Sequence, residues 1–330
     1  MKNKLTIIMY HYVRPIKGSK FPNIKGLELE EFENQIEYIS KYYNVVSTND
    51  YIDSEKSGDT LGKNSLILSF DDGYADHYDY VLPVLKRYNM KGIFFPVGKP
   101  SIERSILDVN KIHFILNATK DFKEVINFLE MKISSIMKDG FYIENLRSKF
   151  YKKNRFDIAE VNYIKRVLQL GLPLQYREQL VKELFAKYVS KDEKDFANEL
   201  YLSIDQLKEM RSYGMEIGSH GYEHFWLDSL NFLDQQKDIK KSFSLLKMVQ
   251  NKGDKFFFCY PYGGYNKDTL EILNSYNCAA GFTCDVGIFN PSMSNILELP
   301  RLDTNDMPKT KNASIIDWTK KIIDETRLDD

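Results

Sequence analysis

Histidine, cysteine and tryptophan are scarce in this chain: its 330 residues include five, three and two of them. The three cysteines (Cys259, Cys278, Cys284) are too few and too widely spaced for a disulfide framework or a thiolate zinc site, and they suit a reducing compartment. An excess of charge is also missing. The 46 Lys and Arg oppose 47 Asp and Glu, for a formal net charge of -1, so nothing electrostatic points to nucleic acid or an anionic membrane as partner. No run of about 18 apolar residues occurs, which excludes a membrane-spanning helix. Lys2 and Lys4 precede an apolar run from Leu5 to Tyr10, but it is shorter than an export core and leads into His11 instead of a small-residue cleavage site. These readings predict a soluble, cytoplasmic protein.

What is present is ordinary for a globular chain, with 43% hydrophobic and 28% charged residues. The length suits about two domains, or one large α/β domain carrying an insertion. Short apolar runs read as buried parallel strands at Leu5–Met9, Asn44–Ser47, Leu66–Phe70, Gly92–Val97, Glu216–Ser219, Phe256–Tyr260 and Ala280–Thr283. They alternate with helix-period segments that start at Leu29, Leu202 and Phe232; the second has Ser203 as N-cap and Gly214 as stop signal. This rhythm predicts a parallel sheet or barrel with helices outside. From Ile102 to Leu200 the rhythm breaks into successive helices, read as an insertion (102–200) within a single catalytic domain (1–330). The polar stretch Asp53–Asn64 reads as a surface loop.

Three segments carry chemistry. In SLILSFDDGYAD a buried strand runs directly into Asp71, Asp72 and Gly73. Adjacent carboxylates at the C-terminal end of a buried strand need a compensating cation or proton, and α/β folds place their sites at that end. The Asp-Gly dipeptide equally fits a plain turn. In MEIGSHGYEHF, His220 and His224 stand four residues apart, a spacing that suits one cation, although a purely structural pair has the same spacing. This is not the HExxH peptidase motif, because Gly221 occupies the place of its catalytic Glu. In FFFCYPYGGYN, an apolar strand ends at Tyr260 and Pro261-Tyr262-Gly263-Gly264 turns the chain, which can present N–H groups to an oxyanion or simply make a turn.

Taken in order, FDDG, H-x-x-x-H and PYG resemble the polysaccharide deacetylase family, also called the NodB-homology family or carbohydrate esterase family 4. IIMYHYV and LELPRLD are similar to a branch of it with an N-terminal YH motif. The resemblance implies a distorted (β/α)7-type barrel that binds one divalent metal, usually Zn2+ with Co2+ or Ni2+ as substitutes, and removes acetyl groups from an N-acetylated sugar, glycan or glycan precursor. It implies Asp71 as general base, Asp72, His220 and His224 as metal ligands, and the backbone N–H of Tyr262 as an oxyanion donor.

The sequence also departs from the family pattern. Gly221 stands where Ser or Thr is common, and Cys259 stands where an Arg often orients the base. No histidine follows His224 to serve as general acid. His11, just after the first strand, is the candidate for that acid, since an imidazole titrates near working pH without large tuning. Arg301 is the candidate to replace the missing Arg by pairing with Asp71. His77 and His113 read as structural. Two other functions remain open on the sequence: a carbohydrate-binding protein of this fold that has lost turnover, and a hydrolase of another non-peptide C–N bond.

Overall fold

The computed structural model describes residues 4–327 apart from 60, 139, 155–156 and 293; Lys2 lies outside the described residues, as do parts of the 53–64 and 102–200 stretches. Two compact units divide the chain. One comprises 1–16, 25–105 and 198–330, and the other 17–24 and 106–197.

The first unit is α/β. Its principal strands are β1 (Thr6–Tyr10), β2 (Ser65–Asp72), β3 (Ile93–Pro96), β4 (Glu216–Ile217), β5 (Phe256–Cys259), β6 (Cys278–Phe282) and β7 (Leu302–Asp303). All pairings among them are parallel: β7 with β1, β1 with β2, β2 with β3, β3 with β4, and β5 with β6. Single parallel bridges, Ser219 with Phe258 and Phe282 with Leu299, link β4 to β5 and β6 to the segment entering β7. Backbone pairing thus passes from each strand to the next around a circuit of seven, the arrangement expected for a (β/α)7-type fold.

Side chains alternate across these strands, as the two-residue period of a strand requires. One buried cluster takes Ile7, Ile67, Ile93, Phe95, Phe257, Cys259, Ala280, Phe282 and Leu299. The intervening residues Ile8, Tyr10, Leu66, Leu68, Phe70, Phe94, Phe256, Phe258 and Tyr260 join a second cluster, together with helix residues such as Phe32, Ile36, Leu207, Ile239 and Ile272. Asp71 continues the row of Ile67 and Ser69, and Arg301 the row of Leu299. Both charges therefore belong to the first row set, where they must find each other or stay unpaired.

The structure corrects several sequence expectations. Asn44–Val45 is only an exposed-to-half-buried addition to the start of β2, while the seventh strand of the circuit is Leu302–Asp303, too short to read as an apolar run. Helix Thr48–Ser57 covers the first part of the stretch expected to be a loop from Asp53. Only Thr48, Tyr51 and Ile52 are buried in it, so its sequence is polar, and its start is held from outside. The Ser47 side chain caps it, and the Glu216 carboxylate accepts from the Thr48 and Asn49 N–H groups at 2.7 and 2.8 Å.

Helices within 106–197 make up most of the second unit, built on buried residues such as Phe114, Leu129, Tyr163, Leu184 and Phe185. Residues 17–24 belong to this unit too, because the Phe21 ring packs against Phe114 and Phe196 at 4.8 and 5.9 Å. Among the described residues, no helix is long and apolar enough to cross a membrane.

Candidate active site

The C-terminal ends of the strands bring His11, Asp71, Asp72, His220, His224 and Cys259 together, and Arg301 joins them from the segment that enters β7. Strand β2 delivers both aspartates, but they face different partners because the backbone changes hand between them. Asp72 has φ 70°, and Gly73 follows with φ 70° at a place where a Cβ would lie 2.7 Å from the Pro96 backbone.

Asp71 is buried in an ion pair. Arg301 Nη1 and Nη2 donate to Asp71 Oδ1 and Oδ2, each at 2.9 Å, in the bidentate geometry that favours Arg over Lys. The guanidinium also donates through Nε to the Thr283 carbonyl at 2.7 Å and through Nη1 to Ser69 Oγ at 3.2 Å. The Cys259 thiol donates to Asp71 Oδ2 at 3.4 Å. Burial pushes the Asp71 carboxyl up, but the Arg301 charge, then His220 and His11, outweigh it and hold the pKa down at about 2. His11 Nε2 lies 3.9 Å from Asp71 Oδ2, with 43% of the His11 side chain exposed.

Asp72, His220 and His224 form a separate buried group whose ligand-type atoms lie within 4.8 Å of one another. Asp72 Oδ1 is 3.5 Å from His220 Nε2 and 3.3 Å from His224 Nε2, while Asp72 Oδ2 accepts from the Tyr74 hydroxyl at 2.6 Å. His220 Nδ1 sits 2.8 Å from the Cys259 carbonyl, which can only accept, so Nδ1 carries the proton. Burial pulls the His220 pKa to about 4, and the ring is neutral at ordinary pH with its Nε2 lone pair aimed at a carboxylate. Two acceptors facing each other at 3.5 Å, sealed from water, suit a cation between them. The donor set of one carboxylate and two imidazoles fits a divalent transition ion.

Tyr262 lies beside this group. Its φ of 57° breaks the short Pro261–Gly263 turn, which the Gly263 and Gly264 N–H groups close onto the Tyr260 and Pro261 carbonyls. Its ring stands edge-on to His224 at 4.5 Å and stacks on Trp226 at 4.5 Å with 5° between the planes.

Sequence reasoning did not single out Tyr74, Ser69, Asp238, Trp226 or the thiol of Cys259. Only Tyr74 left a signal, two residues beyond Asp72 in the same motif. His77, read as structural, is fully buried, and its Nε2–H donates to the His11 carbonyl at 2.9 Å.

A cluster of two aspartates and two histidines thus stands on a parallel α/β frame, and Asp72, His220 and His224 in it could hold a metal ion. The polysaccharide deacetylase family model matches residues 58–145 and 185–281, more than half of the chain, and the chain belongs to that family. The family is described by its deacetylases, hydrolases of N-acetyl amide bonds. YxkH of Bacillus subtilis (strain 168), whose name places it among the polysaccharide deacetylases, is 31% identical over 105 residues, covering 29% of this chain and 33% of that protein. The fold is similar to that of the Streptococcus pyogenes deacetylase PplD in complex with acetate, with a TM-score of 0.58 and 17% identity over 92% of this chain and 93% of that one. It is also similar to the BpsB deacetylase domain from Bordetella bronchiseptica, with a TM-score of 0.55 and 15% identity over 92% and 96% of the two chains. IcaB from Ammonifex degensii gives a TM-score of 0.52 and 17% identity, over 91% of each chain.

Proposed function

We propose that this protein is a metal-dependent deacetylase that hydrolyses the N-acetyl amide of an N-acetylated sugar, glycan or glycan precursor. The observation that carries the reading is the buried group of Asp72 Oδ1, His220 Nε2 and His224 Nε2, in which the carboxylate and the neutral His220 present lone pairs to each other, a set that fits a divalent cation, Zn2+ first and Co2+ or Ni2+ after it. Family membership and a similar fold solved with acetate, the product acid of such a reaction, support it.

In this reading Asp72, His220 and His224 hold the ion. A cation bound there supplies Lewis-acid polarisation of the amide carbonyl and acidifies a water. Asp71 receives the proton of the attacking water; it is ionised at any working pH, and Arg301 fixes both its oxygens, so its direction is set before substrate arrives. The Tyr262 N–H supports the developing oxyanion. His11, on the open side of Asp71, hands a proton to the leaving sugar amine. The whole chain acts as one catalytic domain, with 102–200 inserted into it.

The test is metal analysis of the purified protein together with acetate release from N-acetylhexosamine oligomers, with Asp72→Ala as control. One zinc per chain and acetate release that the variant loses are expected. A protein that takes up no divalent metal and frees no acetate from any such glycan refutes the proposal.

A further inference from the structure

We propose that Asp238 is a positioning residue that sets the spacing of His220 and His224 by gripping the backbone between them. This rests on the metal-centre reading above. Gly221, Tyr222 and Glu223 connect the two histidines, and the connection doubles back, with φ 73° at Gly221 and φ 62° at His224. Such a loop turns its N–H groups inward, and each needs an acceptor. Asp238, 5% exposed on helix Phe232–Val249, supplies two: its Oδ2 accepts from the Tyr222 N–H at 3.0 Å and its Oδ1 from the Glu223 N–H at 2.9 Å. The Gly221 N–H goes to Ser219 Oγ at 3.2 Å. Ser219 Oγ in turn donates to Ser242 Oγ at 2.8 Å, one helical turn beyond Asp238. One helix therefore clamps the loop from residue 219 to residue 223.

The same geometry accounts for the glycine. A Cβ at position 221 would stand 2.9 Å from Asp238 Oδ2, so the carboxylate occupies the space that a serine or threonine side chain would need. In this chain the stabilising acceptor comes from the helix behind the loop, and the residue after the first histidine is reduced to make room. The hydrogen bonds that Asp238 accepts come from the backbone between the imidazoles, and it acts by holding that backbone so that both Nε2 atoms meet at Asp72.

Zinc affinity tests the inference directly. Wild-type protein, Asp238→Ala and Asp238→Asn are compared by competition with a chromogenic chelator well below their melting temperatures, alongside thermal unfolding of the metal-free proteins. Asp238→Ala should weaken zinc binding by about 10- to 100-fold, the range for groups that orient metal ligands, and Asp238→Asn, which keeps one acceptor, by less. If the alanine variant fails to fold, the isosteric asparagine variant decides. Unchanged zinc affinity in variants that only melt earlier overturns the positioning role and leaves the metal centre standing. A wild-type protein that binds no zinc overturns both.

Discussion

Arg301→Met isolates the contribution of the buried ion pair. The guanidinium is fully buried and binds both oxygens of an equally buried carboxylate at 2.9 Å. With the carboxyl held at about 2, against about 3.9 in an unfolded chain, its buried surroundings favour the ionised native state by roughly 2–3 kcal/mol at neutral pH. That contribution is present above about pH 4 and is lost as pH falls through about 2. Methionine removes the partner and leaves the burial, which alone raises the carboxyl, so the expected destabilisation is about 3–5 kcal/mol. At about 2–4 °C per kcal/mol, the melting temperature should fall by on the order of 10 °C. With only His220 and His11 left to offset burial, the Asp71 pKa rises, and the acidic limb of kcat/KM should move to higher pH. Asp71→Asn in the same background takes away the stranded charge, and the double variant should be more stable than the sum of the single changes allows. Urea denaturation of the metal-free proteins at pH 7 and a pH–rate profile provide the readings. Additive stabilities, or an Arg301→Met protein that melts within about 2 °C of wild type, would refute the argument.

Three further outcomes are expected. His11→Ala should lower kcat by about two to four orders of magnitude with zinc content unchanged, and unaltered turnover would remove His11 from the chemistry. Tyr74→Phe deletes the hydroxyl that donates to Asp72 Oδ2 at 2.6 Å, and zinc affinity should drop by about tenfold or more in a chelator competition; equal affinity would show the hydroxyl to be irrelevant to the ligand. His77 is held neutral by burial, its pKa pulled to about 4, while an unfolded histidine takes up a proton below about 6.5. Its contribution is therefore present above about pH 6.5 and disappears as pH falls toward 4, up to about 3 kcal/mol, and His77→Phe should flatten that part of the stability profile, as measured by urea midpoints at pH 7 and pH 5.

Most of the candidate residues could be placed from the sequence because they follow apolar runs that read as strands. SLILSF announces β2, and FFFC announces β5, so the aspartates and the Pro-Tyr-Gly turn could be placed on one rim. Pairing Arg301 with Asp71 needed only the vacancy that Cys259 leaves in the family pattern. The structure then adds what spacing cannot carry, namely that the pair is bidentate and fully buried. Asp238 was invisible because one acid on a helix of mixed charge looks like any solvent-facing residue; its meaning lies in a contact 16 positions away. Strand β7 is two residues long, below any periodicity, and the helix at Thr48–Ser57 is polar because little of it is covered.

Asp72, His224 and Tyr262 share a left-handed backbone, with φ of 70°, 62° and 57°. For side chains of this kind that conformation costs about 1–2 kcal/mol per residue, and glycine would occupy it freely. The rim is thus assembled from residues that its own chain path disfavours. Selection for heat tolerance alone would push Asp72 and His224 toward glycine and strip the site of two of its side chains, so durability and the site's side chains compete here at the level of single backbone angles.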